Sequence, residues 1–133
     1  MENKTLVAVY GSLRRGMGNS RLMSMYNTDG KDGYLSDAKV DGFSMRSCGG
    51  YPAIVKHDGG NPVLIELYNV NDETFDALDG LEGYPSFYNR EQVETPEGDA
   101  WIYFQEYETN VEAWGADHVV DGDWVKYLNG ENV

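Results

Sequence analysis

Residues 62–83 read PVLIELYNVNDETFDALDGLEG, and the fold class turns on them. Pro62 to Val70 is a short, largely apolar stretch that reads as a strand. At Asn71-Asp72 the pattern changes. Either residue can cap a helix, Phe75, Leu78 and Leu81 follow at helical spacing, and Gly80 and Gly83 offer an end. Leu78 and Leu81 are expected to face the core. A strand running straight into a short helix points to a mixed architecture.

Working outward, strand signals dominate on both sides. Upstream, Tyr51 to Lys56 reads as a strand, joined to Pro62–Val70 by the turn His57-Asp58-Gly59-Gly60-Asn61, which predicts a hairpin. Tyr34 to Val40 and Gly42 to Arg46 are two more, with a turn near Asp41. Thr5 to Tyr10 is apolar and β-branched and stops at Gly11, as a buried strand would. Gly11 to Asn19 is a loop. Asn19 or Ser20 then caps a short helix carrying Leu22, Met23 and Tyr26, and Asn27 to Gly33 is a turn region. Downstream, Phe87 to Thr95 and Ala100 to Glu108 read as strands joined by Pro96-Glu97-Gly98-Asp99. The tail from Asn110 is acidic and holds Trp114, Trp124 and Tyr127, whose aromatic rings predict packing on the rest. There is no internal repeat or linker. The expectation is one α+β domain over residues 1–133, with about seven strands closing into a small barrel and two or three short helices.

Composition excludes several functions. Acidic residues outnumber basic ones 23 to 10, for a formal net charge of −13. Such a chain lacks the Lys and Arg needed to displace counterions from a nucleic acid, and anionic membrane surfaces repel it. Aliphatic residues are sparse, but ten Tyr and three Trp supply large buried areas, so a folded domain is expected. Cys48 is the only cysteine, so no intrachain disulfide can form, which fits a reducing compartment. No apolar run is long enough to span a bilayer, and Met1-Glu2-Asn3-Lys4 does not open like a signal peptide. The expected location is cytoplasmic.

Two segments can carry chemistry. The first is the loop Tyr10-Gly11-Ser12-Leu13-Arg14-Arg15-Gly16-Met17-Gly18-Asn19. Its glycines allow close backbone approach, and exposed N–H groups there can hold an anion. It lacks the Gly-Lys-Ser/Thr ending of a Walker A loop and the spacing of the dinucleotide fingerprint. Composition alone favours a plain glycine-rich turn. The second is Leu78-Asp79-Gly80-Leu81-Glu82-Gly83-Tyr84-Pro85, followed by Phe87-Tyr88-Asn89-Arg90. Glu82 lies at the helix C-terminus, where the macrodipole opposes a carboxylate and raises its pKa, as a general base requires. A solvated surface Glu is the alternative. No metal site is expected: His57 and His118 have no paired ligand spacing, and Asp121-Gly122-Asp123 lacks the EF-hand pattern. Ser12 has no nucleophile-elbow context, and Cys48 before Gly49-Gly50 reads as a buried thiol.

Together these segments resemble the γ-glutamylcyclotransferase-like (AIG2-like) family. Tyr10-Gly11-Ser12-Leu13, then Arg14-Arg15-Gly16 and Asn19, looks like its opening motif. Leu78 to Pro85 with Tyr88 and Arg90 looks like its second. Tyr51-Pro52-Ala53, the Val63 to Tyr68 strand and Gly122-Asp123-Trp124 fit in the same order, so the likeness covers almost the whole chain. One departure is Ile65 before Glu66, where the family often has glycine. The short Tyr-Gly-Ser-Leu loop looks closer to the γ-glutamylamine-processing and bacterial members.

The resemblance implies a small mixed β-barrel with flanking helices and a cavity at one end. It also implies a reaction that needs no cofactor or metal. The α-amine of a γ-glutamyl group attacks its own γ-carbonyl, giving 5-oxoproline and a free amine or amino acid. On this likeness Glu82 is the base, and the N–H groups of Gly11, Ser12 and Leu13 hold the substrate's α-carboxylate and the oxyanion. Tyr10 lines the wall, Tyr88 offers a hydroxyl, Arg90 braces Glu82 or a neighbouring strand, and Asn19 orders the loop. The implied partner is a small γ-glutamyl compound, with no nucleic acid or membrane, and the oligomeric state stays open. The competing readings are a non-catalytic small-molecule binding module with the same cavity and an acidic interaction protein.

Overall fold

A computed structural model describes residues 4–26, 30–47, 52–56, 62–105, 117–118 and 122–129. In chain order the elements are β1 (Lys4–Val9), a 3-10 turn (Ser20–Met23), β2 (Tyr34–Val40), β3 (Phe43–Ser47), β4 (Pro52–Lys56) and β5 (Val63–Asn71). Helix α1 (Asp72–Glu82), β6 (Asn89–Thr95), β7 (Gly98–Phe104), β8 (Asp117–His118) and helix α2 (Trp124–Leu128) follow. Five strands form one sheet in the order β2-β5-β1-β7-β6, and three form a second in the order β4-β3-β8. The larger sheet is mixed, because β1 runs parallel to β7 and antiparallel to β5. The α+β architecture read from the sequence is therefore the one adopted. The two sheets meet through a parallel bridge between Val55 and Gln105. The described strands do not close a continuous barrel ladder.

The hairpin expected between β4 and β5 is not made. Its turn, residues 57–61, lies outside the described residues, but β4 pairs with β3 while β5 pairs with β1 and β2. Glycine and Asp mark a reversal of the chain, but they do not decide which strand the returning segment meets. Long-range packing decides that here. Alternation along β1 explains the sandwiching. Ala8 and Tyr10 join a buried cluster with Phe43, Met45, Ile54, Ile65, Ile102 and Trp124, which fills the space beside the smaller sheet. Val7 and Val9 join the other cluster, with Met23, Tyr68, Leu78, Tyr88 and Tyr103, under α1 and the 3-10 turn.

Helix α1 is set by its two ends. Asn71 is the N-cap, its Oδ1 accepting the Thr74 N–H at 2.8 Å. Gly83 adopts φ 66°, and the Gly83 and Tyr84 N–H groups close onto the carbonyls of Gly80 and Asp79 at 3.3 and 3.0 Å. Gly80 thus stays inside the helix, and Gly83 alone ends it. Leu78 is fully buried as expected, but Leu81 is 46% exposed and does not face the core. Three residues advance a helix by about 300°, so Leu81 sits far enough around the axis to reach the helix flank. Tyr26 is likewise exposed, while Met23 beside it is buried.

Two elements of the C-terminal region carry no clear pattern in the sequence, β8 and α2. Trp124 at the start of α2 is buried as its ring predicts, and the Leu64 N–H donates to the Gly122 carbonyl at 3.1 Å, tying this segment to β5. Cys48, Trp114 and the side chains of His118 and Tyr127 lie outside what is described. Among the described residues no helix is long and apolar enough to cross a membrane.

Candidate active site

A cavity of about 290 Å³ opens where the end of β1, the start of β4, the end of α1 and β7 converge. Tyr10, Gly11, Ser12, Leu13, Asn19, Glu82 and Tyr88 all line it. Seven of the eight residues singled out from the sequence are thereby brought together. Arg90 is the exception.

The loop that follows β1 is held from three directions. The Arg14 N–H closes a turn onto the Gly11 carbonyl at 3.0 Å. The Asn19 N–H reaches the Ser12 carbonyl at 2.9 Å, and its Nδ2 donates to Ser12 Oγ at the same distance, so Asn19 orders the loop from within. The Arg14 side chain anchors it from below. That side chain is buried, with Nε 3.1 Å from Glu66 Oε2 and Nη1 2.9 Å from Asp123 Oδ1. Glu66, also buried, accepts further from the Arg15 N–H at 2.9 Å and the Tyr68 hydroxyl at 2.7 Å. A buried ion pair needs such extra partners to offset the loss of water. The result is a loop of fixed shape. Among the described residues no protein acceptor takes the N–H groups of Gly11, Ser12 and Leu13. Backbone donors unpaired beside a cavity suit an anion.

Gly11 is also a point of close approach. A Cβ placed there would lie 2.8 Å from Cγ of Pro52. The Pro52 carbonyl in turn accepts the Tyr88 hydroxyl at 2.8 Å. Tyr10 donates its hydroxyl to the Tyr103 carbonyl at 2.6 Å, fixing its ring as part of the wall.

Glu82 is the titratable group on the cavity wall. Burial pushes its carboxyl up to about 7. Its carboxylate makes no hydrogen bond or ion pair among the described residues. Arg90 does not offset it. The guanidinium donates instead to Asp79, with Nε 2.9 Å from Oδ1. It is also enclosed by the rings of Tyr84, Trp101 and Phe75 at 4.2, 4.5 and 4.6 Å. Asp79 accepts the Tyr103 hydroxyl as well, at 2.7 Å. Arg90 thus braces α1 against the larger sheet, and the carboxylate it neutralises is that of Asp79, which is not part of the cavity lining.

Sequence reasoning gives no site role to Ala8, Val9, Pro52, Leu81, Phe87 or Tyr103, which complete the lining. The signal for Tyr103 is its alternation with the core residues Ile102 and Phe104, which turns it to the sheet face under α1. Among the described residues, no group of three or more His, Cys, Asp and Glu side chains is arranged to hold a metal ion.

Comparison with known proteins shows the family of the chain. The chain is 34% identical over 119 residues to the gamma-glutamylcyclotransferase family protein YtfP of Escherichia coli (strain K12), covering 90% of this chain and 95% of that one. The solution NMR structure of E. coli ytfP superposes with a TM-score of 0.66 at 28% identity, over 93% of this chain and 99% of that one. An aig2-like protein from Mus musculus shares the fold, with a TM-score of 0.59 at 22% identity over 83% of each chain. Residues 7–126 match the family model described as gamma-glutamyl cyclotransferase, AIG2-like, and the chain belongs to that family.

Proposed function

We propose that the protein is a cyclotransferase that converts a γ-glutamyl amine or γ-glutamyl amino acid to 5-oxoproline and the free amine. The observation that carries this reading is the meeting on one cavity of Glu82, pushed up to about 7, with the N–H groups of Gly11, Ser12 and Leu13, none of which has a hydrogen-bond partner among the described residues.

The chemistry follows from those two features. An α-ammonium group titrates near ~8 at a peptide N-terminus, and higher beside the free α-carboxylate of a γ-glutamyl group, so it must lose a proton before it can attack. A carboxylate at the ordinary ~4.3 is mismatched to that donor by more than three powers of ten. A carboxylate at about 7 narrows that gap by more than two powers of ten, so proton transfer costs correspondingly less. The freed amine attacks the γ-carbonyl carbon, the new C–N bond closes a five-membered ring, and charge develops on the carbonyl oxygen. The loop N–H groups are donors for that oxyanion and for the substrate's α-carboxylate. The intermediate then collapses, the C–N bond to the leaving group breaks, and protonated Glu82 returns its proton to the departing nitrogen; the ring nitrogen gives up its second proton to the regenerated carboxylate, which passes it to the released amine or to solvent. Ring closure is intramolecular, so holding the chain of the glutamyl group curled supplies much of the remaining rate. Tyr10 and Tyr88 shape the walls that hold it. No cofactor takes part in these steps.

The test is release of 5-oxoproline from a panel of γ-glutamyl compounds by the purified protein. Glu82→Gln keeps the side-chain shape and removes the base, so release falls by roughly 10²–10⁴-fold while ligand binding survives. Unchanged turnover in that variant overturns the assignment. Binding without release in the unaltered protein makes it a binding module.

A further inference from the structure

Gly122-Asp123-Trp124 lies outside the cavity lining, and each of its residues is fixed by a different part of the fold. Gly122 adopts φ 72°, where a side chain is strained, and a Cβ there would collide with the Pro62 carbonyl. Its own carbonyl accepts the Leu64 N–H at 3.1 Å. Trp124 is buried in the cluster that also holds Tyr10, Ile65 and Phe104. Asp123, between them, accepts the Lys126 N–H at 3.2 Å and Nη1 of Arg14 at 2.9 Å. The second contact reaches the loop after β1 across 109 positions of the chain. Glu66 does not make it redundant. Glu66 Oε1 takes the Arg15 N–H and the Tyr68 hydroxyl, and Oε2 meets Arg14 at Nε, 3.1 Å away. One bond at Nε lets the planar guanidinium swing, and a second at Nη1 stops it.

From this arrangement we infer that Asp123 is a positioning residue of the site, acting through Arg14 on the backbone donors of Gly11, Ser12 and Leu13. The inference rests on the cyclotransferase reading, in which those donors hold the α-carboxylate and the oxyanion, and it extends the working parts of the site to the C-terminal segment. The path is short. Asp123 Oδ1 fixes Nη1 of Arg14, and the Arg14 N–H closes a turn onto the Gly11 carbonyl at 3.0 Å. The three donors belong to the residues that this turn spans. An ionised acceptor suits the task, because a charge-assisted bond is shorter and stronger than a neutral one and holds the guanidinium in one orientation. Asp123 is not part of the cavity lining, so its effect on turnover passes through the loop.

Asp123→Asn isolates this effect. It keeps the side-chain shape and an acceptor oxygen, and it leaves Arg14 balanced by Glu66, so the variant should fold. It exchanges a charge-assisted bond for a neutral one of roughly half the strength. The expected results are a kcat/KM about three- to tenfold lower for 5-oxoproline release from the best substrate of the panel, and displaced amide signals of Gly11, Ser12 and Leu13 in a nitrogen–proton correlation spectrum. Asp123→Ala removes the acceptor and should carry both changes further. In an Arg14→Met background Asp123→Asn should change neither, because the path is already cut. Where Asp123→Ala or Arg14→Met does not fold, Asp123→Asn decides alone. A role confined to capping α2 predicts otherwise. Asp123→Asn would then lower the melting temperature, leave kcat/KM and the loop signals as they are, and add its effects to those of Arg14→Met. Unmoved loop signals, an unchanged rate or additive losses each overturn the inference. The spectrum is read without substrate, which separates the inference from the reading beneath it. If the unaltered protein releases no 5-oxoproline, the cyclotransferase reading falls; displaced loop signals in Asp123→Asn then still uphold the coupling of Asp123 to the loop, and unmoved signals overturn both.

Discussion

Arg90 bonds to Asp79 and not to Glu82, three residues further along the same helix, with Nε 2.9 Å from Asp79 Oδ1. The pairing decides the chemistry of the site. A guanidinium beside Glu82 would hold its carboxyl low and make it a poor base. Asp79 keeps that charge occupied, with help from the Tyr103 hydroxyl at 2.7 Å. Asp79→Asn should therefore act at a distance. With its partner neutral, the Arg90 charge is no longer balanced and favours ionised Glu82. The expected outcome is a pH–rate profile whose rising limb moves to lower pH, with a lower plateau. A profile that keeps its limb near 7 while the protein merely loses stability assigns Asp79 a structural role only.

Glu82 itself should leave two signatures in pH. In catalysis it works ionised, so kcat/KM for cyclisation should rise with pH through about 7, and Glu82→Gln should lose that limb. In stability the sign is opposite. Burial raises its pKa above the unfolded value of ~4.3, so the folded state holds the proton more tightly. The associated stability is complete below about pH 4, declines as pH rises, and is lost above about 7. Glu82→Gln, which cannot ionise, should then melt a few degrees higher than the unaltered protein at pH 8. The difference should narrow towards pH 4. Thermal melts at the two pH values check this directly.

The buried charges under the loop make a third case. Arg14 joins the loop to β5 through Glu66 and to the residue preceding α2 through Asp123. Arg14→Ala leaves the Glu66 carboxylate buried, although the Tyr68 hydroxyl and the Arg15 N–H remain with it. Loss of one partner of a buried pair costs on the order of 3–5 kcal/mol, and the remaining donors put this variant at the lower end. The loop N–H groups should shift with it, so KM should rise more than kcat falls. Denaturant unfolding and steady-state kinetics on one preparation separate the two effects.

How far the sequence carries is clear from particular residues. The apolar runs of β1 and β5, the Asn71 cap and the Gly83 stop are local signals, and they place the strand and helix that deliver Tyr10 and Glu82 to the cavity. The resemblance in the two motifs then locates both ends of the site. Partner choice is not local. Nothing in His57 to Asn61 tells β4 to pair with β3, and nothing near Arg90 tells its guanidinium to take Asp79. Leu81 has the spacing of a core residue, yet it is exposed at the cavity, because a helix packed along one flank buries a stripe narrower than its apolar pattern. β8 is only two residues long, too short for any periodicity to register.

Gly11 tests whether the shape of the loop matters as much as its donors. An added Cβ would stand 2.8 Å from Cγ of Pro52, closer than side-chain carbons pack, so either the loop or the start of β4 must give. Pro52 is poorly placed to move, since its carbonyl holds the Tyr88 hydroxyl and it opens a strand paired with β3. The loop yields instead, carrying the Gly11 and Ser12 N–H groups out of position. Misplacement of such donors by even ~1 Å can cost about 10²-fold in rate. Gly11→Ala should therefore lower kcat/KM by more than tenfold. The melting temperature should change little, because the clash falls at the cavity edge and buries no new polar group. A variant that is fully active at unchanged stability shows that the loop relaxes freely and that donor geometry there does not limit the reaction.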